Sequence, residues 1–139
     1  MTAEDYTQAA ALVTEECHRA LTTIEPEKVL EYLDMLNSAK RVFFVGVGRV
    51  LLSLEAIAKR YAHLGIDTVI VGQITEPAIT KDDVLVVGSG SGETMFPAGI
   101  ARKAKAFGAK VIHIGPYSGR KQSKGTGRNP FCTAYDIIV

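Results

Sequence analysis

The chain has 139 residues, 47% hydrophobic and 22% charged, the balance of one globular domain able to bury a core without disulfides or a structural metal. Its formal net charge is +1, and no apolar run approaches the roughly 18 residues a membrane helix needs. Cys17 and Cys132 are the only cysteines; they fit an intracellular protein with reduced thiols better than a secreted disulfide framework, so the cytoplasm is the expected location.

The chain opens "MTAEDYTQ", acidic and polar, with no signal-peptide pattern. Residues 3–22 place Ala9, Leu12, Val13, Ala20 and Leu21 near one face at helical spacing. A second helix is predicted from Pro26, with Val29, Leu30, Leu33 and Leu36 on its buried face. From residue 40 the pattern changes. Short β-branched runs at 41–46, 67–72, 83–88 and 109–115 alternate with helical patterns at 51–65 and 94–108, and "YDIIV" at 135–139 reads as a fifth strand. Continuous apolar strands alternating with helices predict an α/β domain whose parallel sheet is covered on both faces. The whole chain, 1–139, then forms a single domain, with helices in 1–39 and the α/β core in 40–139. Helix 51–64 is apolar around much of its circumference, more than one sheet face requires, which implies burial in a subunit interface as well. The segment 116–134 is rich in Gly, Ser, Lys and Arg, lacks helical periodicity and reads as a long loop.

In open parallel sheets ligands bind beyond the carboxyl ends of the strands. There the run 88–94, "GSGSGET", packs three glycines, two serines, a glutamate and a threonine between a strand and a helix. A helix start offers free N–H groups and a positive dipole end, and glycine lets a ligand approach the backbone. Ser89, Ser91 and Thr94 add hydroxyl donors, so the loop reads as a phosphate cradle; the plainer alternative is a turn in which Ser91 or Thr94 caps the helix. It is not a P-loop, because no lysine follows Gly92. A dinucleotide site at "GVGRVL" (46–51) is disfavoured: Leu51 stands where the third glycine belongs, and the second strand ends "VGQ" with no acid for a ribose. From Met95 to Tyr135 there is no Asp or Glu, and eight of the sixteen positive charges lie there. That stretch is either a solvated face or an attractor for anions. Tyr117 and Phe131 are the only aromatics within 116–134, so a nucleic-acid surface has the least support. The scattered His18, His63 and His113 argue against a metal site.

The segments "VGVGR", "AKRYAHLG", "VGQITEPAI" and "DDVLVVGSGSGET" together resemble the sugar isomerase (SIS) domain family, and within it the 6-phospho-3-hexuloisomerases, over roughly residues 40–115. The resemblance implies a three-layer α/β sandwich around a five-stranded parallel sheet of flavodoxin-like order. It implies a ketohexose 6-phosphate ligand, no cofactor or metal, and a homodimer or homotetramer. Phosphate binding falls to Ser89, Gly90, Ser91, Gly92 and Thr94, and sugar contacts to Gly48 and Gln73. The chain departs from the family in three places. Val50 stands where the family's first loop has a serine, Gln73 where it has a glutamate, and the family's C-terminal helix does not follow the fifth strand.

Moving a proton between adjacent sugar carbons through an enediol needs a base and a donor near the carbonyl oxygen. Such a reaction would interconvert a 3-hexulose 6-phosphate and fructose 6-phosphate. Glu93 is the expected base, or else only a helix-start acid stabilised by the dipole. His63, ending "AKRYAHLG", acts as acid or base, or merely meets its helix C-terminus. Arg49 neutralises enediolate or phosphate charge, or sits in a surface ion pair. The competing reading is a non-catalytic phosphosugar-binding module. His113, inside the fourth strand, reads as a packed histidine.

Overall fold

A computed structural model describes residues 2–91, 94–115 and 135–138. Two helices come first, α1 (Ala3–Thr22) and α2 (Pro26–Ser38). α1 starts with a capping box: the Thr2 hydroxyl accepts the Asp5 amide, and the Asp5 carboxylate accepts the Thr2 amide. Among the described residues α1 buries none of its own, and Tyr6, Leu12, Val13 and Leu21 stand exposed along it. α2 packs on the domain through Tyr32, Met35 and Leu36, with the Tyr32 and Tyr61 hydroxyls 2.7 Å apart. Of the four residues expected on its buried face only Leu36 is there; Val29, Leu30 and Leu33 are exposed. Apolar residues occupy more than one side of this helix, and a 3.6-residue period does not say which side meets the sheet.

The core follows as β1 (Val42–Val45), α3 (Gly48–His63), β2 (Thr68–Ile70), β3 (Val84–Gly88), α4 (Met95–Ala106), β4 (Lys110–Ile114) and β5 (Ile137–Ile138). All neighbours pair in parallel, in the order β2-β1-β3-β4-β5. The first four strands, of three to five residues, carry the sheet. The strand predicted over 135–139 is reduced to a two-residue pairing on the β4 edge. α3 begins at Gly48 rather than at 51, directly out of the first glycine turn.

Strand alternation divides the core. Val42, Phe44, Val84, Val86 and Ile112 face α2 and α3. Phe43, Val45, Leu85, Val87 and Val111 face α4, which meets the sheet with Ala101 and Ala104 and so lies close to it. Both faces being covered explains why the strands read as unbroken apolar runs. At the amino ends of the strands Arg41 forks onto Asp83, Nε to Oδ1 at 3.0 Å and Nη2 to Oδ2 at 2.9 Å. The same carboxylate accepts the Thr80 amide at 2.7 Å and its hydroxyl at 2.8 Å. Burial alone would raise the Asp83 pKa, but the bonds from Arg41 and Thr80 outweigh it and hold the group below the usual carboxylate range. This lock joins β1 to β3 at the end opposite the glycine loops. The basic loop reading of 116–134 lies outside the described residues; of the basic residues before it, Lys105 pairs with Asp136. Among the described residues no helix is long and apolar enough to cross a membrane.

Candidate functional site

The chain leaves β1 toward β2 on one side, and β3 leads toward β4 on the other, so the topological switch point lies between β1 and β3. Val45 and Val87 are partners in register, so the loops that follow leave the sheet side by side. Gly88 brings them closer. A Cβ there would lie 2.6 Å from Val50 Cγ1 and 2.9 Å from Leu54 Cδ1. The absent side chain lets the first turns of α3 lean across the end of β3, which sets the α3 N-terminus beside the serine-rich loop.

Both helix starts at this edge are open. α3 is preceded by Val47, which has no capping group, and Thr94 before α4 makes no side-chain cap bond. The Thr94 hydroxyl instead lies 3.2 Å from Ser89 Oγ. The reading of Thr94 as a plain helix cap therefore does not hold. Neither first turn contains an acidic residue to offset the helix dipole. Two positive helix ends, neither with a side-chain cap bond among the described residues, and two adjacent hydroxyls make an anion-binding edge. Gly90 and Ser91 are exposed there, while Ser89 is only 5% exposed.

Ser89 is held from below by β4. Its amide donates to the Ile114 carbonyl at 3.3 Å, and its carbonyl lies 2.9 Å from His113 Nε2. A carbonyl can only accept, so Nε2 carries the proton and Nδ1 the lone pair. Burial pushes the His113 imidazole below the ordinary histidine range, against a smaller opposite effect of its bond to Ser89, and keeps it neutral at pH 7. The reading of His113 as a packed histidine holds, since it is 3% exposed with the Tyr135 ring 4.8 Å away. Its contact with the glycine loop was not visible in the sequence, where the only signal was a lone polar residue inside an apolar strand.

The remaining predicted residues divide. Gly48 and Arg49 lie exposed in the first turn of α3 at the same edge as Ser89, Gly90, Ser91 and Thr94. Gln73 is exposed one strand away, beyond β2. There Glu76, which the sequence reading passed over, turns its carboxylate back onto the Gly72 amide. His63 is not brought to this edge: it closes α3 at the far end, roughly 22 Å of helix rise from Gly48. Val50 is half-buried against the core, and Ser53 is exposed with its hydroxyl on the Arg49 carbonyl at 3.2 Å. Glu93 and Gly92 lie outside the described residues. An apolar cleft of about 220 Å³ beside α4, lined by Phe43, Ile79, Ile100 and Phe107 among others, shares no residue with the glycine loops.

No family model matches the chain. It is 38% identical over 103 residues to an uncharacterised protein of Archaeoglobus fulgidus, a match covering 74% of this chain and 56% of that one. It is 34% identical over 101 residues to the 3-hexulose-6-phosphate isomerase of Bacillus subtilis, covering 73% of this chain and 55% of that enzyme. A crystal structure of a hypothetical protein from Methanococcus jannaschii, which infers a molecular function of 3-hexulose-6-phosphate isomerase, superposes with a TM-score of 0.71 at 31% identity, over 82% of this chain and 59% of that one. The chain thus spans about half the length of the curated relatives it matches.

Proposed function

We propose that the chain is a member of the sugar isomerase (SIS) domain family and a phosphosugar isomerase interconverting a 3-hexulose 6-phosphate and fructose 6-phosphate, a reading supported by its similarity to 3-hexulose-6-phosphate isomerases. The observation that carries the proposal is the convergence of two uncapped helix N-termini with Ser89 and Thr94 at the switch point of the sheet. The phosphate sits on the hydroxyls and amides of the loop that begins at Ser89, and the sugar extends toward Gly48 and Gln73. Binding the remote phosphate positions the reacting carbons. Glu93 takes the proton from the hydroxyl-bearing carbon next to the carbonyl and delivers it to the former carbonyl carbon, while the carbonyl oxygen gains a proton and the neighbouring hydroxyl loses one. Arg49, at the same edge, stabilises the enediolate oxygen. Because α3 carries His63 away from this edge, His63 serves the site of a neighbouring subunit in a cytoplasmic homodimer or homotetramer. The fold is the three-layer sandwich around a five-stranded sheet of flavodoxin-like order.

A second reading is a phosphosugar-binding module without turnover. It is favoured by Val50, whose methyl packs on Gly88 and offers no hydroxyl at the start of α3. The experiment is incubation with fructose 6-phosphate in heavy water, following the sugar protons by NMR. Exchange at C3 supports the hexuloisomerase reaction. Binding without exchange at C1 or C3 overturns it in favour of the binding module.

A further inference from the structure

We infer that His113 is a positioning residue that sets the orientation of the Ser89–Gly90 peptide, and with it the direction in which the glycine loop presents its first anion-binding amide. The inference rests on the reading of that loop as a phosphate site.

The peptides of the described chain are trans, so within one peptide unit the carbonyl and the following N–H point in opposite directions. His113 Nε2–H donates to the Ser89 carbonyl from a buried position, and that oxygen therefore points into the protein. The Gly90 N–H must then point outward, and Gly90 is exposed. Contacts with the end of β4 hold this peptide and the one before it. Besides the imidazole bond, the Ser89 amide is tied to the Ile114 carbonyl. Gly115 then passes so close that a Cβ on it would lie 2.2 Å from the Ser89 oxygen. The imidazole is itself fixed. Its ring packs against Tyr135, and Nδ1 has no hydrogen-bond partner among the described residues, so nothing competes for the ring's orientation.

Without the imidazole N–H, the Ser89 carbonyl would be a buried acceptor lacking its side-chain donor. The peptide relieves this by rotating its oxygen toward water. That rotation turns Gly90 N–H inward and presents a carbonyl lone pair to an incoming phosphate, so an attraction becomes a repulsion. Sequence separation hides the arrangement: 24 residues lie between donor and acceptor.

The test compares wild type, His113→Met and His113→Gln in the ligand-free protein and in titrations with fructose 6-phosphate. Met fills the space without a donor; Gln places an amide N–H near the position of Nε2. In the ligand-free protein, Ser89 and Gly90 amide shifts and hydrogen exchange are expected to change in His113→Met and to stay near wild type in His113→Gln. Affinity for fructose 6-phosphate is expected to fall about tenfold or more in His113→Met, the loss of one buried hydrogen bond or worse, and to be restored to within about threefold by His113→Gln. Nitrogen-15 shifts of the wild-type ring supply a check that needs no variant: Nε2 protonated and Nδ1 bare is expected, and the reverse tautomer overturns the inference. Unchanged Ser89 and Gly90 signals in a folded His113→Met also overturn it. If wild type binds no sugar phosphate, the proposed function fails, while the peptide signals and the tautomer still decide the role of His113.

Discussion

Replacing Gly88 by Ala tests the packing that creates the candidate site. The new methyl would lie 2.6 Å from Val50 Cγ1 and 2.9 Å from Leu54 Cδ1. Carbon atoms rest at about 3.5–4.0 Å, so the first contact is about 1 Å too short. Overpacking of this kind costs about 1–3 kcal/mol. Gly88 does not have positive φ, so alanine also restricts the unfolded chain and returns about 0.4–1 kcal/mol. The net expectation is a destabilisation of about 1–2 kcal/mol, with the α3 N-terminus pushed away from the serine loop. Val50→Ala removes the nearer obstacle and costs about 1 kcal/mol by itself. In the double variant the two changes should couple favourably by about 1 kcal/mol, leaving the Leu54 contact as the residue of strain. The assay is urea denaturation of all four proteins followed by far-UV circular dichroism, alongside fructose 6-phosphate affinity. Affinity should drop in Gly88→Ala and recover partly in the double variant. A Gly88→Ala protein as stable as wild type, or additive single changes, would refute the claim that α3 rests on the bare end of β3.

Three further outcomes follow from the same structure. Asp83→Ala should destabilise by about 1.5–3 kcal/mol, because it removes both carboxylate bonds to Arg41 and both bonds from Thr80 while the guanidinium keeps its bond to the Ala78 carbonyl, measured by denaturation at neutral pH. The folded-state pKa of Asp83 is depressed, so its contribution is present above the unfolded carboxylate value near 3.9 and is lost as pH falls through the folded value; wild type should therefore show an acid-limb loss of stability that Asp83→Asn lacks. Val50→Ser should strengthen fructose 6-phosphate binding several-fold by adding a donor in the first turn of α3, at a stability cost of about 1 kcal/mol for the lost methyl contacts; calorimetric titration showing unchanged or weaker affinity would remove Val50 from the site.

The alternation of strands and helices was legible in the chain itself. Strands buried on both faces must be apolar at every position, so "VFFV" and "VLVVG" announce themselves without neighbours. The glycine and hydroxyl density of the loop from Ser89 was likewise visible, because it follows from the local need of a helix start for close backbone approach. Less was legible where a pattern has more than one solution. The α3 start was placed late because neither Val47 nor Gly48 is a side-chain capping residue. α2 turned out to bury Tyr32 and Met35 rather than Val29, Leu30 and Leu33, since only the sheet decides which side of a broadly apolar helix is covered.

The sequence by itself determined the elements and the chemistry of the loop, because each depends on residues a turn or less apart. The tertiary structure alone decided that Val50 meets Gly88, that Arg41 locks Asp83 and that His113 reaches Ser89. It also carried His63 to the end of α3 away from these loops. Those relations depend on the sheet order β2-β1-β3-β4 and on which face each helix covers. Sheet order is a property of long-range pairing, where the same apolar strands have many possible neighbours, and only the packed whole selects one.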